Sequence, residues 1–373
     1  MLEVTHGYAF ASEGMSEERT GEPIIVSIGN FDYKGGFRFT TTRIRESIGY
    51  YPRQFILRPG DLLIAMTCQT PGGEILGIPG IIPDDGNSYL HNQRIGKVLV
   101  SQSRMDKLFA YYCFLSHNVN MQLVATASGT KILHTAPTRI GAVEIDLPPL
   151  PCQRAIAAAL GALDDKIAVN DRIARASFDL ASAHYEQLAL TAESSLTLGE
   201  ILDLKYGKAL PAHQRVAGAA PVFGSGGVVG HHNEAIATGP GIIIGRKGTV
   251  GAVYWSDEDF FPIDTTFYVQ LRKAETPIEF AYFAVRKLGL ETMNTDSAVP
   301  GLNRGNALAL RVPFPGASEL QGFRTAVGPG FALRHALATE SLALAQLRDT
   351  LLPKLMSGAI RVRDAEQIVG DAT

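Results

Sequence analysis

Residues 1–10, MLEVTHGYAF, align without gaps with residues 201–210, ILDLKYGKAL, and this internal repeat limits the chain to architectures built twice. Met1, Leu2, Val4 and Phe10 face Ile201, Leu202, Leu204 and Leu210, while Gly7 faces Gly207 and Ala9 faces Ala209. Alternating apolar residues that end at a glycine predict a strand entering a turn. A second pair of segments repeats further on: SGTKILHTAPTRIGAVEIDLPPLP from Ser128 and SAVPGLNRGNALALRVPFPGASEL from Ser297. Each runs serine, small loop, leucine, polar stretch, alternating strand and prolines, and each leads into a segment of helical periodicity.

The first helix is expected over residues 151–193. Pro151 sits in the first turn, where a helix tolerates proline. Ile156, Leu160, Leu163 and Ile167 follow the 4-3-4 spacing of a coiled-coil seam. Ile173, Ala176, Leu180, Ala183 and Leu188 continue that seam in a shifted register, and Asp164, Asp165, Lys166, Arg172 and Arg175 read as a solvated face. The second helical region covers residues 317–357 and is clearest from Phe331 to Met356, where Leu333, Leu337, Leu344, Leu347, Leu351 and Leu355 form a stripe. Gly328-Pro329-Gly330 predicts a break or kink, since proline inside a helix costs about 3 kcal/mol or more. The expectation is a mixed α/β (α+β) fold: a domain at 1–150, a helix at 151–193, a second domain at 194–316, a second helix at 317–357, and a tail at 358–373. The helices would pack antiparallel in a pseudo-two-fold arrangement, with about 40 residues giving a spacer of about 60 Å. Arg363 to Thr373 read as a polar, frayed end.

The chain has 373 residues, room for two domains, and a hydrophobic fraction of 46% that supports a core in each. It contains no run of eighteen apolar residues and no signal-like start, so a cytoplasmic location is the default expectation. Cys68, Cys113 and Cys152 lie too far apart for a zinc or redox motif and are expected as reduced thiols, at least two of them buried. A net charge of −3 argues against a generic nucleic-acid binder but leaves a site-specific one open, because local charge decides.

Enzyme motifs are missing from the sequence. Leu147-Pro148-Pro149-Leu150 lacks the amide and the ring of an adenine methyltransferase loop. There is no G-x-x-x-x-G-K-[S/T] nucleotide loop. Asp264 stands alone, and Asp84-Asp85 lie in a Pro/Gly-flanked turn, so no carboxylate cluster marks a nuclease. Ser225 in Phe-Gly-Ser-Gly-Gly approaches a hydrolase elbow without matching it. The adjacent His231 and His232 do not share one metal readily, and no metal site is expected.

LPPLPCQRAIAAALGALDDKIAVNDRI, residues 147–173, is similar to the central conserved region of type I restriction-modification specificity subunits: a proline pair, Gln-Arg, an alanine-rich turn, Leu-Asp-Asp-Lys-Ile and an asparagine. LRDTLLPKLMSGAIRV, residues 347–362, resembles the family's second conserved region. GPGIIIGRKGTVGAVYW (239–255), PIDTTFYV (262–269) and SAVPGLNR (297–304) resemble one subtype of target recognition domain. The resemblance covers nearly the whole chain. It implies a non-catalytic subunit whose two target recognition domains each read half of a split double-stranded DNA site. It further implies helices that set the half-site spacing and bind two methyltransferase subunits, with a motor-nuclease subunit joining some assemblies. No cofactor is implied on this chain, since S-adenosylmethionine belongs to the methyltransferase subunits. In the two conserved regions, Gln153, Arg154, Asp164, Asp165, Lys166, Asn170 and Lys354 are the subunit-interface candidates. The family usually has a short lead-in before the first strand. Leu198, Gly199 and Glu200 supply it in the second domain and nothing does in the first, so that first strand is expected to be less well supported. A recognition subunit of a related defence system is the alternative reading, and a coiled-coil adaptor is disfavoured by the second domain.

Reading DNA requires cations for phosphates and forked donors for base edges. Arg246 and Lys247 lie between glycines with no acid in the loop, and Thr249 follows as a phosphate donor; a solvated hairpin is the other reading. Lys205, Tyr206 and Lys208 flank the repeat's glycine. Asn92, Gln93 and Arg94 occupy in the first domain the place of PIDTTFYV in the second, as base-reading groups or as the start of a core strand that bonds its own backbone. Lys34, Arg38 and Arg43, with Arg45 beyond, form a basic stretch beside Phe31, Tyr33 and Phe37, whose rings read as core. Lys131 and His134, and Asn303 and Arg304, are placed on equivalent loops after the shared serine.

Overall fold

The computed structural model describes residues 1–39, 44–293 and 301–370; Arg43 and Ser297 lie outside them. In chain order the strands that matter here are β1 (Leu2–His6), β2 (Ile24–Val26), β3 (Leu62–Ala65), β4 (Pro79–Ile81), β5 (Tyr89–His91) and β6 (Ile95–Val100). They are followed by helices α1 (Lys107–Leu115), α2 (His117–Thr126), α3 (Pro137–Gly141) and the long α4 (Leu150–Thr191). The second repeat supplies β7 (Leu202–Tyr206), β8 (Ala220–Gly224), β9 (Gly241–Gly245), β10 (Val253–Ser256), β11 (Phe261–Pro262) and β12 (Thr266–Leu271). Helices α5 (Ile278–Lys287), α6 (Arg304–Ala309), the long α7 (Ala317–Met356) and α8 (Val362–Gly370) complete the series. These elements form two units: Met1–Ile167 with the chain from Leu342 onward, and Ala168–Ser341.

The duplication is a duplication of topology. In unit 1 the main sheet has the order β1-β6-β3-β4, with every pair antiparallel. In unit 2 it has the order β7-β12-β9-β10, again antiparallel throughout. Each unit adds one parallel pair in a second sheet, β2 with β5 in a five-stranded one and β8 with β11 in a three-stranded one. The central strands β3 and β9 are buried along their whole length, which their apolar runs LLIA and GIIIG dictate. The first strand is fully paired, Leu2–His6 against Gly96–Val100, so it needs no lead-in.

The shared glycine has a geometric cause. The Tyr8 N–H donates to the His91 carbonyl at 2.7 Å, and the Lys208 N–H donates to the Pro262 carbonyl at 3.0 Å. A Cβ on Gly7 would lie 2.3 Å from the His91 oxygen, and one on Gly207 would lie 2.1 Å from the Ile263 oxygen. Both turns are therefore closed to any side chain, and the two close approaches align residues 91–97 with 262–268.

The start of α4 buries Ile156, Leu160 and Leu163 among Leu344, Leu351, Leu352 and Leu355 of α7 in the unit 1 core. In unit 2, Asn170 meets Glu340 and Ser341, whereas an added Cβ on Gly330 would touch Ser177, so the helices run antiparallel. The later seam differs from the expectation. Ile173 and Leu180 are exposed, as are Ala176 and Ala183; Ala181 and Tyr185 are buried instead, with Phe178 and Leu188 packed beside them. The cause is the partner surface: Phe178 and Tyr185 stack on Tyr282, Phe283 and Phe280 of α5, and those rings fix which face turns inward.

Helix α7 runs unbroken from Ala317 through the Gly-Pro-Gly segment. Leu320, Phe323, Val327 and Phe331 are buried in the unit 2 core on both sides of Pro329, and this packing outweighs the one hydrogen bond that proline removes. Leu333 of the expected stripe is exposed. The frayed end is also corrected: α8 occupies Val362–Gly370, and its Ala365 and Val369 are buried in the unit 1 core. All three cysteines are free, with Cys68 and Cys113 buried and Cys152 exposed. Among the described residues no helix is long and apolar enough to cross a membrane.

Candidate nucleic-acid interface

One end of the main sheet gathers polar side chains in both units. In unit 1 the pairs His6↔Gly96 and Ile95↔Ala65 bring the end of β1, the start of β6 and the end of β3 to the same edge. There the His6 Nδ1 lies 3.5 Å from the Gln93 carbonyl, and the His134 Nδ1 lies 3.0 Å from Thr67 Oγ1. Gln93 and Arg94 are exposed and line two adjoining polar recesses, one with Ser27, Arg45 and Gln69, the other with His6, Thr67 and His134. The Asn92 Oδ1 accepts the Arg94 N–H at 3.2 Å, so Asn92 holds the turn while its two neighbours face solvent.

Other first-domain candidates lie apart from this edge. Arg38 is paired with Asp32 at 3.1 Å, and the Lys34 N–H donates to the same carboxylate at 2.9 Å. Lys34 lines a groove with His117, Asp146 and Asp349 rather than with Arg94. Phe31, Phe37, Phe39 and Tyr89 form a chain of ring contacts, as expected of core, while Tyr33 is exposed. Lys131 is exposed. The buried ring of His91 donates its Nε2–H to the Ile95 carbonyl at 2.8 Å, and burial pushes its pKa down to about 4.

In unit 2 the same edge carries Tyr206, Arg246 and the loop that follows. The Arg246 N–H donates to the Thr265 carbonyl and its own carbonyl accepts from the Leu302 N–H, both at 2.9 Å. Its guanidinium lies 5.2 Å from the Tyr206 ring centre and 5.9 Å from that of Phe267. Lys247 and Thr249 are exposed beside it, as is Lys208 across the edge. Gly248, with φ of +83°, lets the loop turn there.

Arg304 and Lys205 have another partner. Arg304 donates to Asp203 and, at 2.8 Å, to the Leu204 carbonyl; Asp203 also pairs with Lys205 at 3.1 Å and with Arg272 at 3.4 Å. Burial alone would raise the Asp203 carboxyl, but its bonds from Lys205 and Arg304 hold it at about 2. Arg304 thus ties the start of α6 to β7, and Asn303 caps α6 by accepting the Asn306 N–H at 3.0 Å. The two loops are equivalent, but not in the register the sequence suggested. The Thr135 N–H donates to the Met66 carbonyl as the Leu302 N–H donates to that of Arg246, so Ala136, not His134, matches Asn303.

Sequence reading missed His6, Thr67 and Gln69, because only strand pairing carries them to this edge; His6 is the repeat partner of Tyr206, and that pairing was the available signal. His232 is buried and accepts the Val216 N–H, so it serves the fold. Among the described residues no three His, Cys, Asp or Glu side chains gather as a metal site.

The helix candidates divide sharply. Gln153 is buried, accepts the Asp106 N–H at 3.0 Å and donates to the carbonyls of Arg104 and Pro148. Asp164, expected on a solvated face, accepts from Tyr112 Oη and Arg348, both at 2.6 Å. Asn170 is buried against Glu340 and Ser341. Lys166 is half-buried, which leaves Arg154, Asp165 and Lys354 exposed for a partner.

Known proteins show the same plan. The profile of the family described as "Type I restriction modification DNA specificity domain" matches residues 12–175 and 194–322, one segment in each repeat. The chain belongs to this DNA specificity family. It is 27% identical over 145 residues to the type I restriction enzyme MjaVIII specificity subunit of Methanocaldococcus jannaschii, across 39% of this chain and 33% of that protein. It is 28% identical over 298 residues to a putative type I specificity subunit of Mycoplasma genitalium, across 73% of this chain and 76% of that one. The crystal structure of a type I S subunit from M. genitalium superposes with a TM-score of 0.60 at 19% identity, covering 95% of this chain and 93% of that one, which shows the shared fold.

Proposed function

We propose that each unit of this specificity-family chain reads one half of a split duplex DNA target, through the polar edge of its main sheet. Family membership supports reading the chain as a DNA specificity subunit that performs no chemistry itself and directs methyltransferase partners to the site, with motor-nuclease subunits joining some assemblies. The observation that carries the two-half reading is topological: equivalent strands in both repeats deliver exposed cations and hydrogen-bond donors to the same edge. In unit 1 these are Gln93, Arg94 and His134, with Asn92 shaping the turn and Lys131 on the adjoining loop. In unit 2 they are Tyr206, Lys208, Arg246, Lys247 and Thr249. Lys34 and Arg38 act at a second, phosphate-contacting margin, and Lys205, Asn303 and Arg304 support the edge from behind. Arg154, Asp165 and Lys354 are the exposed helix positions that face a methyltransferase subunit.

The test is single-molecule sequencing of DNA methylation in cells that express the chain with its methyltransferase partner. A methylated adenine at a split motif that disappears when this gene is deleted is the expected result. Methylation unchanged by the deletion, with the methyltransferase active, would overturn the assignment.

A further inference from the structure

We propose that Arg246, clamped on the Tyr206 ring, is the guanine-reading group of unit 2 rather than one more phosphate contact; this rests on the DNA-reading function above. Three observations converge on it. First, the backbone of Arg246 is pinned on both sides, to Thr265 and to Leu302. Second, the guanidinium lies against the rings of Tyr206 and Phe267, contacts that restrict how the fork can turn. Third, the Arg246 Nε is buried with no hydrogen-bond partner among the described residues, and no described carboxylate pairs with the guanidinium. A buried donor without a partner in a charged group is a cost the fold does not recover by itself.

Phosphate contacts tolerate a mobile cation, and exposed Lys247 next in sequence provides one. A fork held rigid at the rim of a sheet edge suits bidentate donation to the O6 and N7 of guanine. The first repeat has no such group. The position equivalent to Arg246 is Met66, which is buried, and that of Phe267 is Gly96. The edge of unit 1 carries His6, His134 and Arg94 instead, so the two halves of the target are read by different chemistry.

The experiment is methylation profiling of the complex with four variants of the full chain, using the wild-type motif and its single-base variants as probes. Arg246→Lys keeps the charge and loses the fork. Its motif is expected to relax at one guanine in one half-site, with discrimination there falling about ten- to a hundredfold and the other half-site unchanged. Arg246→Gln should behave alike and Tyr206→Ala should relax the same position, whereas Tyr206→Phe, which keeps the ring but loses the hydroxyl that the edge offers to DNA, should lower methylation evenly across sequences without relaxing that position. An Arg246→Lys complex that retains the full motif would overturn the proposal, since charge alone would then suffice; so would a uniform drop across all sequences in that complex. A wild-type split motif with no G·C pair in either half overturns it whatever the variants do. None of these outcomes touches the DNA-reading function, which fails only if the wild-type chain directs no split-motif methylation.

Discussion

Asp164 and Arg348 stand 184 positions apart in the sequence and 2.6 Å apart in unit 1, where they join the N-terminal half of one long helix to the C-terminal part of the other. The Arg348 side chain is only 8% exposed. Burial opposes its charge, yet the pull of Asp164 and the bonds that Arg348 donates to Asp164 and Asp349 raise its pKa above the ordinary arginine value. Removing Arg348 strips the half-buried Asp164 of its partner and leaves a gap where the buried side chain stood, so Arg348→Ala is expected to destabilise unit 1 by about 1–3 kcal/mol. Replacing both Asp164 and Arg348 with apolar residues should cost less than Arg348→Ala alone. Denaturant titration of the three proteins measures this, and equal losses in all of them would contradict it.

Acid should loosen unit 1 earlier than unit 2. His91 has a folded pKa of about 4 against an ordinary 6.5, so the unfolded chain takes up the proton first as pH falls. Its contribution is therefore complete above pH 6.5, declines down to about pH 4 and is then lost, amounting to about 3 kcal/mol. Asp203 in unit 2, held at about 2 against 3.8, keeps its contribution until the pH falls below about 4 and loses it on the way to about 2. Hydrogen exchange at pH 7 and pH 4.5 should show protection lost first around β5 and β6, and His91→Gln should flatten that pH dependence.

Lys247→Ala is expected to weaken DNA binding by the assembled complex evenly across sequences and to reduce the salt dependence by about one unit of log-log slope. Fluorescence anisotropy at several salt concentrations reads both quantities. A changed recognition motif with an unchanged slope would instead make Lys247 a base reader.

Deleting residues 362–373 should lower the stability of unit 1 by about 2–4 kcal/mol, because Val369 and Ala365 leave the core and uncover the side chains beneath them. Unit 2 should unfold as before. Thermal unfolding of the truncated chain with an unshifted midpoint would show that α8 is dispensable.

Gly207→Ala should disorder the unit 2 edge, since its methyl would sit 2.1 Å from the Ile263 oxygen and force the 262–265 backbone away from β7. The loss expected is about 1–3 kcal/mol, together with DNA binding through that half. Gly322→Ala, on an open helix face, is the matched control.

Much of this was written plainly in the chain. Ten residues at each repeat start revealed two copies of a strand and a turn, because a backbone approach that excludes Cβ leaves only glycine in both. The seam from Ile156 to Leu163 was legible because its face toward the leucines of α7 keeps the fixed spacing of paired helices. Past Asn170 the rule fails, since α4 also packs on the rings of α5, and a helix between two kinds of neighbour follows neither period cleanly. Pro329 misled for a related reason: local cost was visible, the buried Val327 and Phe331 that override it were not recognised as anchors. At the candidate site, charge type was readable but charge partnership was not. Arg246 and Arg304 look alike in sequence, yet one rests on a ring and the other is bound to Asp203. Only the fold distinguishes a cation held ready from one already engaged.

The division of the chain has a consequence for its birth. Unit 2 is one uninterrupted stretch, Ala168–Ser341, whereas unit 1 needs segments from both ends of the chain. On a ribosome the strands of residues 2–100 emerge long before the leucines of α7 that share their core. The earlier-synthesised half must therefore wait, partly unsealed, while the later half closes. A nascent chain of this kind offers the apolar side chains of β1, β3 and β6 to chaperones and proteases until translation has passed Leu355.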